Sequence, residues 1–287
     1  MKYCFMDQYR SEFRVTKMCR ALGVSRSGYY GWKKQPQGKR RKDEERLLME
    51  IKESYRKSKG NYGSPRIADD LRDKGMRCGK NRVARIMKVN GIKAKTTKKF
   101  KATTNSKHNL PVAENLLNRD FTAARPNAVW VSDITYVSTL EGWLYLAVII
   151  DLYSRQVVGW AMHNRLTADF VIRALYQAIG RRRPPAGCIF HSDRGVQYAC
   201  KDFRKVLQRY NFRQSMSKKG DCYDNAVAES FFHTLKVEHV YQHRYATRAE
   251  ARQSIFEYVE MFYNRQRKHS ALGYRSPVSF ELDAAAA

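Results

Sequence analysis

Three carboxylates stand in sequence surroundings where an acid calls for an explanation: Asp133 in VWVSDITYV, Asp193 in IFHSDRG and Glu229 in DCYDNAVAESFF. Asp133 lies among residues of strand character, and an acid inside an apolar strand is costly unless it is paired or metal-bound. Carboxylate oxygens are the ligands that hard divalent cations prefer. With a helix running from about residue 225 to 240, Val227, Phe231 and Leu235 make one apolar stripe, while Glu229 and Lys236 point together on the other side. Glu229 is thereby available to a site, although a helical wheel does not bring it to the aspartates. Spacing alone is weak evidence, because residues 101–287 contain 17 acids and hence many chance triples.

The elements needed to position these acids can be read from residues 128–264. Val129, Val131, Ile134, Tyr136 and Val137 predict a strand, and Leu144 to Ile150 is a continuous apolar run suited to a buried one. Val157, Val158, Trp160 and Met162 predict a third, and the short connections at Gly142 and Ser154-Arg155 imply an antiparallel meander. Thr167 caps a helix with Phe170, Val171, Ala174, Leu175 and Ala178 on one face. A short strand from Cys188 to His191, a helix marked by Phe203, Val206, Leu207 and Tyr210, and a strand from Phe212 to Met216 follow. Helices from about 225 to 240 and from Arg248 to about Asn264 complete the order, which is that of an α/β, ribonuclease H-like domain.

The first third of the chain is different in kind. The 287 residues carry 55 Lys and Arg against 27 Asp and Glu, a net charge of +28. Residues 1–100 hold 29 basic and 10 acidic side chains, so most of the excess is concentrated there. A polyanion is the partner such a balance implies. In residues 13–34, Val15, Met18, Cys19 and Leu22 form a helical stripe, Gly23 stops it, and Ser25 caps a second helix carrying Arg26, Tyr29, Tyr30 and Trp32. A helix-turn-helix would present Arg26 to base edges, but an ordinary helical hairpin fits this pattern equally well. The outline recurs at 64–92, where Ile67, Ala68 and Leu71 precede a glycine-bracketed turn. The second helix there sets Val83, Ile86 and Met87 against Lys80, Arg82, Arg85 and Lys88. Residues 80–99 contain eight Lys or Arg and no acid, which favours nucleic acid over a merely solvated face. Residues 35–46 read as a charged linker or helix entry, and Lys93 to Lys107 as a linker that orders along a phosphate backbone.

Other chemistries are poorly served. The six cysteines form no C-x2-4-C pair, and only His233, His239 and His243 have ligand-like spacing, so a structural zinc site is not expected. The longest apolar run has eight residues, Trp143 to Ile150, too short to span a membrane, and no secretory signal opens the chain. Scattered thiols then read as reduced and cytoplasmic.

Context resolves the triad. Between Asp193 and Glu229 lie 35 residues, and Lys236 follows Glu229 by seven. With LGVSRSGYY, YGSPRI, RVARIM, PNAVWVSDITY, HSDRGVQY, YDNAVAESFF, LKVE and YNRQRKHSALGYRSP, the chain resembles the D,D-35-E transposases of bacterial insertion sequences, related to retroviral integrases. The resemblance extends from about Arg10 to Phe280 and is to the downstream reading-frame product of the insertion-sequence three family. It implies a ribonuclease H-like integrase core preceded by helix-turn-helix DNA-binding segments. It also implies Asp133, Asp193 and Glu229 as catalytic residues holding two Mg²⁺ ions, for which Mn²⁺ substitutes, and Lys236 as a DNA contact.

The activity implied is cleavage of element ends and strand transfer. A non-catalytic DNA-binding regulator and a simple metal-dependent nuclease are the rivals. Expected partners are terminal-repeat and target DNA, further copies of the chain in the DNA complex, and an upstream-frame protein or fusion, at the bacterial nucleoid. The expected division is 1–36 and 40–95 for the helical segments, 96–127 for a basic linker, 128–240 for the core and 241–287 for a helical extension. The alanines after Asp283 read as lying outside the fold.

Overall fold

A computed structural model describes residues 2–34, 39–95, 110–218 and 222–286. The chain divides into two units, Met1–Lys93 and Ala94–Ala287.

The first unit contains two groups of three helices. In the first group, α1 (Lys2–Gln8), α2 (Val15–Leu22) and α3 (Arg26–Lys34) bury Met6, Met18, Cys19 and Tyr29. Gly23 ends α2 in the left-handed region at φ 60°, and Ser25 Oγ accepts the Gly28 amide at 2.9 Å, as the sequence predicts. The second group is α4 (Lys39–Lys57), α5 (Ser64–Asp73) and α6 (Lys80–Val89). Of the two readings of 35–46, a charged linker or a helix entry, the structure has the helix entry from Lys39 onward, while 35–38 lie outside the described residues. Leu47 and Ile51 bury the later turns of α4 beside Ile67, Leu71, Val83 and Ile86, and this packing carries the helix back into the charged run.

The second unit is built on β1 (Val129–Thr139), β2 (Gly142–Asp151), β3 (Val157–His163), β4 (Ile189–Ser192) and β5 (Arg213–Met216). Their order is β3-β2-β1-β4-β5, antiparallel from β3 through β2 to β1 and parallel from β1 through β4 to β5. The meander and the alternation of strand and helix are those expected. α7 (Ala168–Arg182), the single turn α8 (Val196–Ala199) and α9 (Lys201–Arg209) close over Trp130, Ile149, Phe190, Tyr198 and Phe203. α10 (Ala226–Glu238) and α11 (Arg248–Phe256) pack on β1 outside that cluster.

Two boundaries and the winding of one helix differ from the sequence reading. Of the expected linker 96–127, residues 96–109 lie outside the described ones, but 110–127 belong to the second unit. The Met216 amide donates to the Glu114 carbonyl at 3.3 Å and the Leu116 amide to Ser215 Oγ at 2.9 Å, so this stretch covers the open edge of β5. The helix expected to reach Asn264 stays α-helical to Phe256 and widens to a π-helix over Glu257–Tyr263. The widening ends at Asn264, whose side chain bonds the Val157 amide and carbonyl, both at 2.9 Å, as a neighbouring strand would. The expected extension 241–287 is likewise integral to the unit. The Leu140 amide donates to the Tyr245 carbonyl at 3.1 Å, and Arg267 grips Glu238 at 2.7 and 2.8 Å with both side chains buried. α12 (Pro277–Ala286) takes in the terminal alanines as far as Ala286, correcting their exclusion from the fold, and Arg182 holds its Glu281 at 2.7 Å.

Two predictions come from this packing. A Cβ on Gly159 would meet the Ala174 carbonyl oxygen and lie 2.7 Å from Ala178 Cβ, because α7 crosses β3 there. Gly159→Ala is therefore expected to cost about 1–3 kcal/mol in a urea unfolding titration. Burial also pushes the Asp151 carboxyl up to about 6, despite amide bonds from Asn127 and Tyr153. Folded protein then keeps this proton where the unfolded chain, with a carboxyl pKa of about 4, has lost it. The contribution to stability is full below pH 4 and vanishes as pH rises through 6, a change of about 3 kcal/mol. Asp151→Asn should flatten the pH dependence of unfolding by about that amount between pH 4 and 7.

Candidate active site

The register of one strand pair sets the site. β1 and β4 run parallel with Ser132 opposite Ser192, so the next residue on each is an aspartate, Asp133 and Asp193. Both are half-buried, at the C-terminal end of the parallel pair, where open α/β sheets place their ligands. Asp193 Oδ1 accepts the Gly195 amide at 2.9 Å, and a Cβ on Gly195 would stand 3.0 Å from that oxygen, so glycine leaves the turn open. Asp133 Oδ1 accepts the Ile134 amide at 2.7 Å.

The neighbouring serine anchors the pair from beneath. Ser132 Oγ donates to the Val148 carbonyl at 2.8 Å and lies 2.8 Å from the buried Tyr198 hydroxyl, tying β1 to β2 and α8. On β4, burial pushes the His191 imidazole down to about 4, which keeps it neutral between Ser215 Oγ at 2.8 Å and Ser217 Oγ at 3.2 Å.

Glu229 arrives from α10, in its first turn and exposed. Asn225, the residue before that helix, donates through Nδ2 to the Ser132 carbonyl at 3.1 Å, so α10 begins beside the strand that carries Asp133. Asp224 is buried and accepts from Asn115 Nδ2 at 2.9 Å and the Lys218 amide at 2.7 Å, which holds the segment entering α10. Sequence reasoning began the helix at about Asn225 but gave neither side chain a role. The signal available was a helix-capping residue type directly before an apolar helical stripe.

These acids feel one another. Burial and then the charge of Asp193 lift the Asp133 carboxyl well above the usual carboxylate range; the Ile134 amide and Lys236 oppose this, and Glu229 adds to it. Burial raises Glu229 as well. Lys236 departs from the wheel reading: it is 4% exposed, with Nζ 5.0 Å from the centre of the Tyr136 ring. Burial lowers its pKa and the charge of Asp133 raises it. A wheel aligns Glu229 and Lys236, but two helical turns of travel take the lysine under β1 while the glutamate stays at the rim.

The donor set suits a hard divalent cation, being carboxylate oxygens whose mutual repulsion such an ion would relieve. Among the described residues no three His, Cys, Asp or Glu side chains surround a single point as ligands of one ion. Pairs of carboxylates sharing Asp133 are the grouping that the strand register and the α10 tether support.

The expected DNA contacts lie in the other unit. Arg26 is exposed at the start of α3, its guanidinium 5.7 Å from the centre of the Tyr30 ring. Lys80 and Lys88 are exposed on α6. Arg82 and Arg85 correct the expectation of an all-positive face: Arg82 Nη2 pairs with Asp43 at 2.7 Å, and Arg85 pairs with Glu44. The wheel counted only the charges of its own helix, and these acids come from α4, about 40 positions earlier.

Comparison with known proteins agrees with this architecture. Residues 123–222 match the Integrase core domain family, residues 210–277 a second family of that description, and residues 42–100 the HTH-like domain family. The chain is 49% identical over 263 residues to the insertion element IS600 uncharacterized 31 kDa protein of Shigella sonnei, covering 92% of this chain and 97% of that one. It is 44% identical over 283 residues to transposase InsF for insertion sequence IS3A of Escherichia coli (strain K12), covering 98% of each. Among solved structures, a chain of the simian T-cell lymphotropic virus intasome in complex with PP2A regulatory subunit B56 gamma matches with a TM-score of 0.48 at 15% identity, over 77% of this chain and 70% of that one.

The class defined by this sheet and by the family match is the integrase-like core of a polynucleotidyl transferase. Identity at this level, over nearly the whole of both chains, goes further: the chain belongs to the IS3 family of insertion-sequence transposases.

Asn225→Ala is expected to remove the tether between α10 and β1 and leave the Ser132 carbonyl short of a buried donor. The cost should be about 1–3 kcal/mol in denaturant unfolding, with Asn225→Asp, which lacks the Nδ2 donor, no better.

Proposed function

We propose that this transposase cuts the ends of its element and joins them to target DNA with Mg²⁺-dependent chemistry at Asp133, Asp193 and Glu229. The observation that carries the reading is the parallel register of Ser132 with Ser192, which sets two aspartates side by side, together with the Asn225 tether that starts the Glu229 helix next to them. Asp133 would be common to both ions, with Asp193 beside it for one and Glu229 for the other. Divalent ions bound there, Mg²⁺ or Mn²⁺ in its place, would supply activation of an oxygen nucleophile and charge neutralisation on the scissile phosphate.

The chain's own residues do the rest. Lys236 sets a positive charge behind Asp133 and favours its ionised, ligating form. Its burial makes this a supporting role, with any DNA contact requiring the side chain to move out. Tyr198 is not a nucleophile in this reading: it is fully buried beside Ser132, and burial with the charges of Asp133 and Asp193 holds its phenol protonated. The basic first unit supplies the electrostatic hold on DNA. Among the described residues no helix is long and apolar enough to cross a membrane. Work at the bacterial nucleoid, as several copies on DNA and with an upstream-frame partner or fusion, is the setting this reading implies.

Asp133→Asn, Asp193→Asn and Glu229→Gln should each lower joining of a labelled element end to target duplex by about a thousandfold or more, as loss of a two-ion site implies. Binding to the same DNA should stay within about twofold, since removing an acid does not weaken attraction to phosphate. EDTA should abolish joining by the parent protein and added Mg²⁺ or Mn²⁺ restore it. Strand transfer retained by any of the three variants removes that residue from the site, and binding without metal-dependent joining by the parent would favour a regulator.

A further inference from the structure

The second group of helices carries a finer assignment, which rests on the reading of the chain as a transposase that recognises its element's ends. α5, a glycine-bearing turn at Gly75 and α6 form the helix-turn-helix, within the residues that match the HTH-like domain family. In such motifs the second helix enters the major groove.

Three groups of residues divide the surface of α6. Val83, Ile86 and Met87 are buried against the other helices. Arg82 and Arg85 lie toward α4, engaged by Asp43 and Glu44. Arg85 and Val89 are also exposed, and Asn81, Ala84 and Lys88 form a separate exposed line, spaced i, i+3 and i+7 and therefore one stripe. That stripe contains no acid, and Lys80 and Arg77, also exposed, flank its N-terminal end.

We infer that Asn81, Ala84 and Lys88 are the residues that read the element's end, in its major groove, and that Arg82 and Arg85 are braces rather than readers. The chemistry fits each position. An Asn amide pairs in bidentate fashion with the N6 and N7 edge of adenine, an Ala methyl packs on a thymine methyl, and a Lys ammonium reaches guanine acceptors. Ala84, small and central, lets the helix approach the base edges closely. An arginine held by an acid must break that pair before it meets a base, and the acid left behind would then repel the phosphates.

An open groove of about 570 Å³ at the turn, lined by Arg72, Gly75, Met76, Arg77, Cys78 and Gly79, lies at the same end of α6. Of its two arginines, Arg77 is placed for the sugar-phosphate backbone, which positions a reader without specifying sequence, whereas Arg72 pairs with Asp69 at 3.1 Å. The reading of a single basic helix face is thereby replaced by three roles on adjoining surfaces: packing, bracing and base contact.

The test uses the full-length protein and fluorescence anisotropy at fixed salt. One duplex carries the terminal repeat of the insertion element, and the other has the same composition in scrambled order. Asn81→Ala, at an exposed position, should lower the preference for the repeat about tenfold and leave affinity for the scrambled duplex unchanged. Lys88→Ala should likewise lower the preference for the repeat about tenfold, as loss of a base contact implies. Arg82→Gln with Arg85→Gln should leave the preference ratio unchanged. Circular dichroism melts establish that each variant is folded at the assay temperature. The assignment is overturned if Asn81→Ala keeps the full ratio, if the Arg82 and Arg85 pair collapses it, or if the parent protein shows no preference. Metal-dependent joining in the same preparation would leave the transposase reading intact in each of those cases.

Discussion

Two aspartates at the same level of adjacent parallel strands repel each other, and the architecture of the second unit answers that repulsion. The register that creates it is fixed by four paired positions from Val129 with Ile189 to Ser132 with Ser192. Slipping one strand by one residue would turn its aspartate to the other face of the sheet. The site therefore depends on a fully buried strand centre. Trp130, Val131, Ile149 and Phe190 have no exposure, and they hold the register against the cost of the charges at its end.

Around that pair, polar groups are arranged as supports. Ser132 is a joint for β1, β2 and α8, and its carbonyl receives the Asn225 amide that begins α10. Lys236 brings the compensating charge from behind, where burial would otherwise drive an ammonium to lose its proton. The segments flanking the sheet do related work. Residues 114–116 cover the edge of β5, Asn264 completes the start of β3, and Arg267 with Glu238 pins the C-terminal region to the end of α10. A buried ion pair of this kind is expensive to form but strongly resists loss of either partner, so it fixes how the chain returns to the sheet.

Charge is handled differently in the first unit. There the excess of Lys and Arg is trimmed locally, with Lys74 close to Glu50 and Glu53 and with Arg82 and Arg85 held by Asp43 and Glu44. Each pair is exposed enough to be worth little in stability. Its larger effect is on which positive charges stay outward, and hence on where a phosphate or a base can approach. Net charge predicts a polyanionic partner, whereas pairing decides the face that meets it.

The sequence by itself determined the order of strands and helices, because each has its own apolar period and stop signals: the run Leu144 to Ile150, the stripe of α7, and Gly23 after α2. It also determined the carboxylates, since an acid in VWVSDITYV is conspicuous in any fold. Tertiary structure alone decided what depends on partners distant in the chain. Asp133 and Asp193 are 60 positions apart and meet only through strand register. Lys236, which a wheel sets beside Glu229, is buried because β1 covers it, and Arg82 is claimed by an acid 39 positions away. Period and composition are local properties of a chain, but burial and pairing belong to the packed molecule, and a helical wheel contains neither.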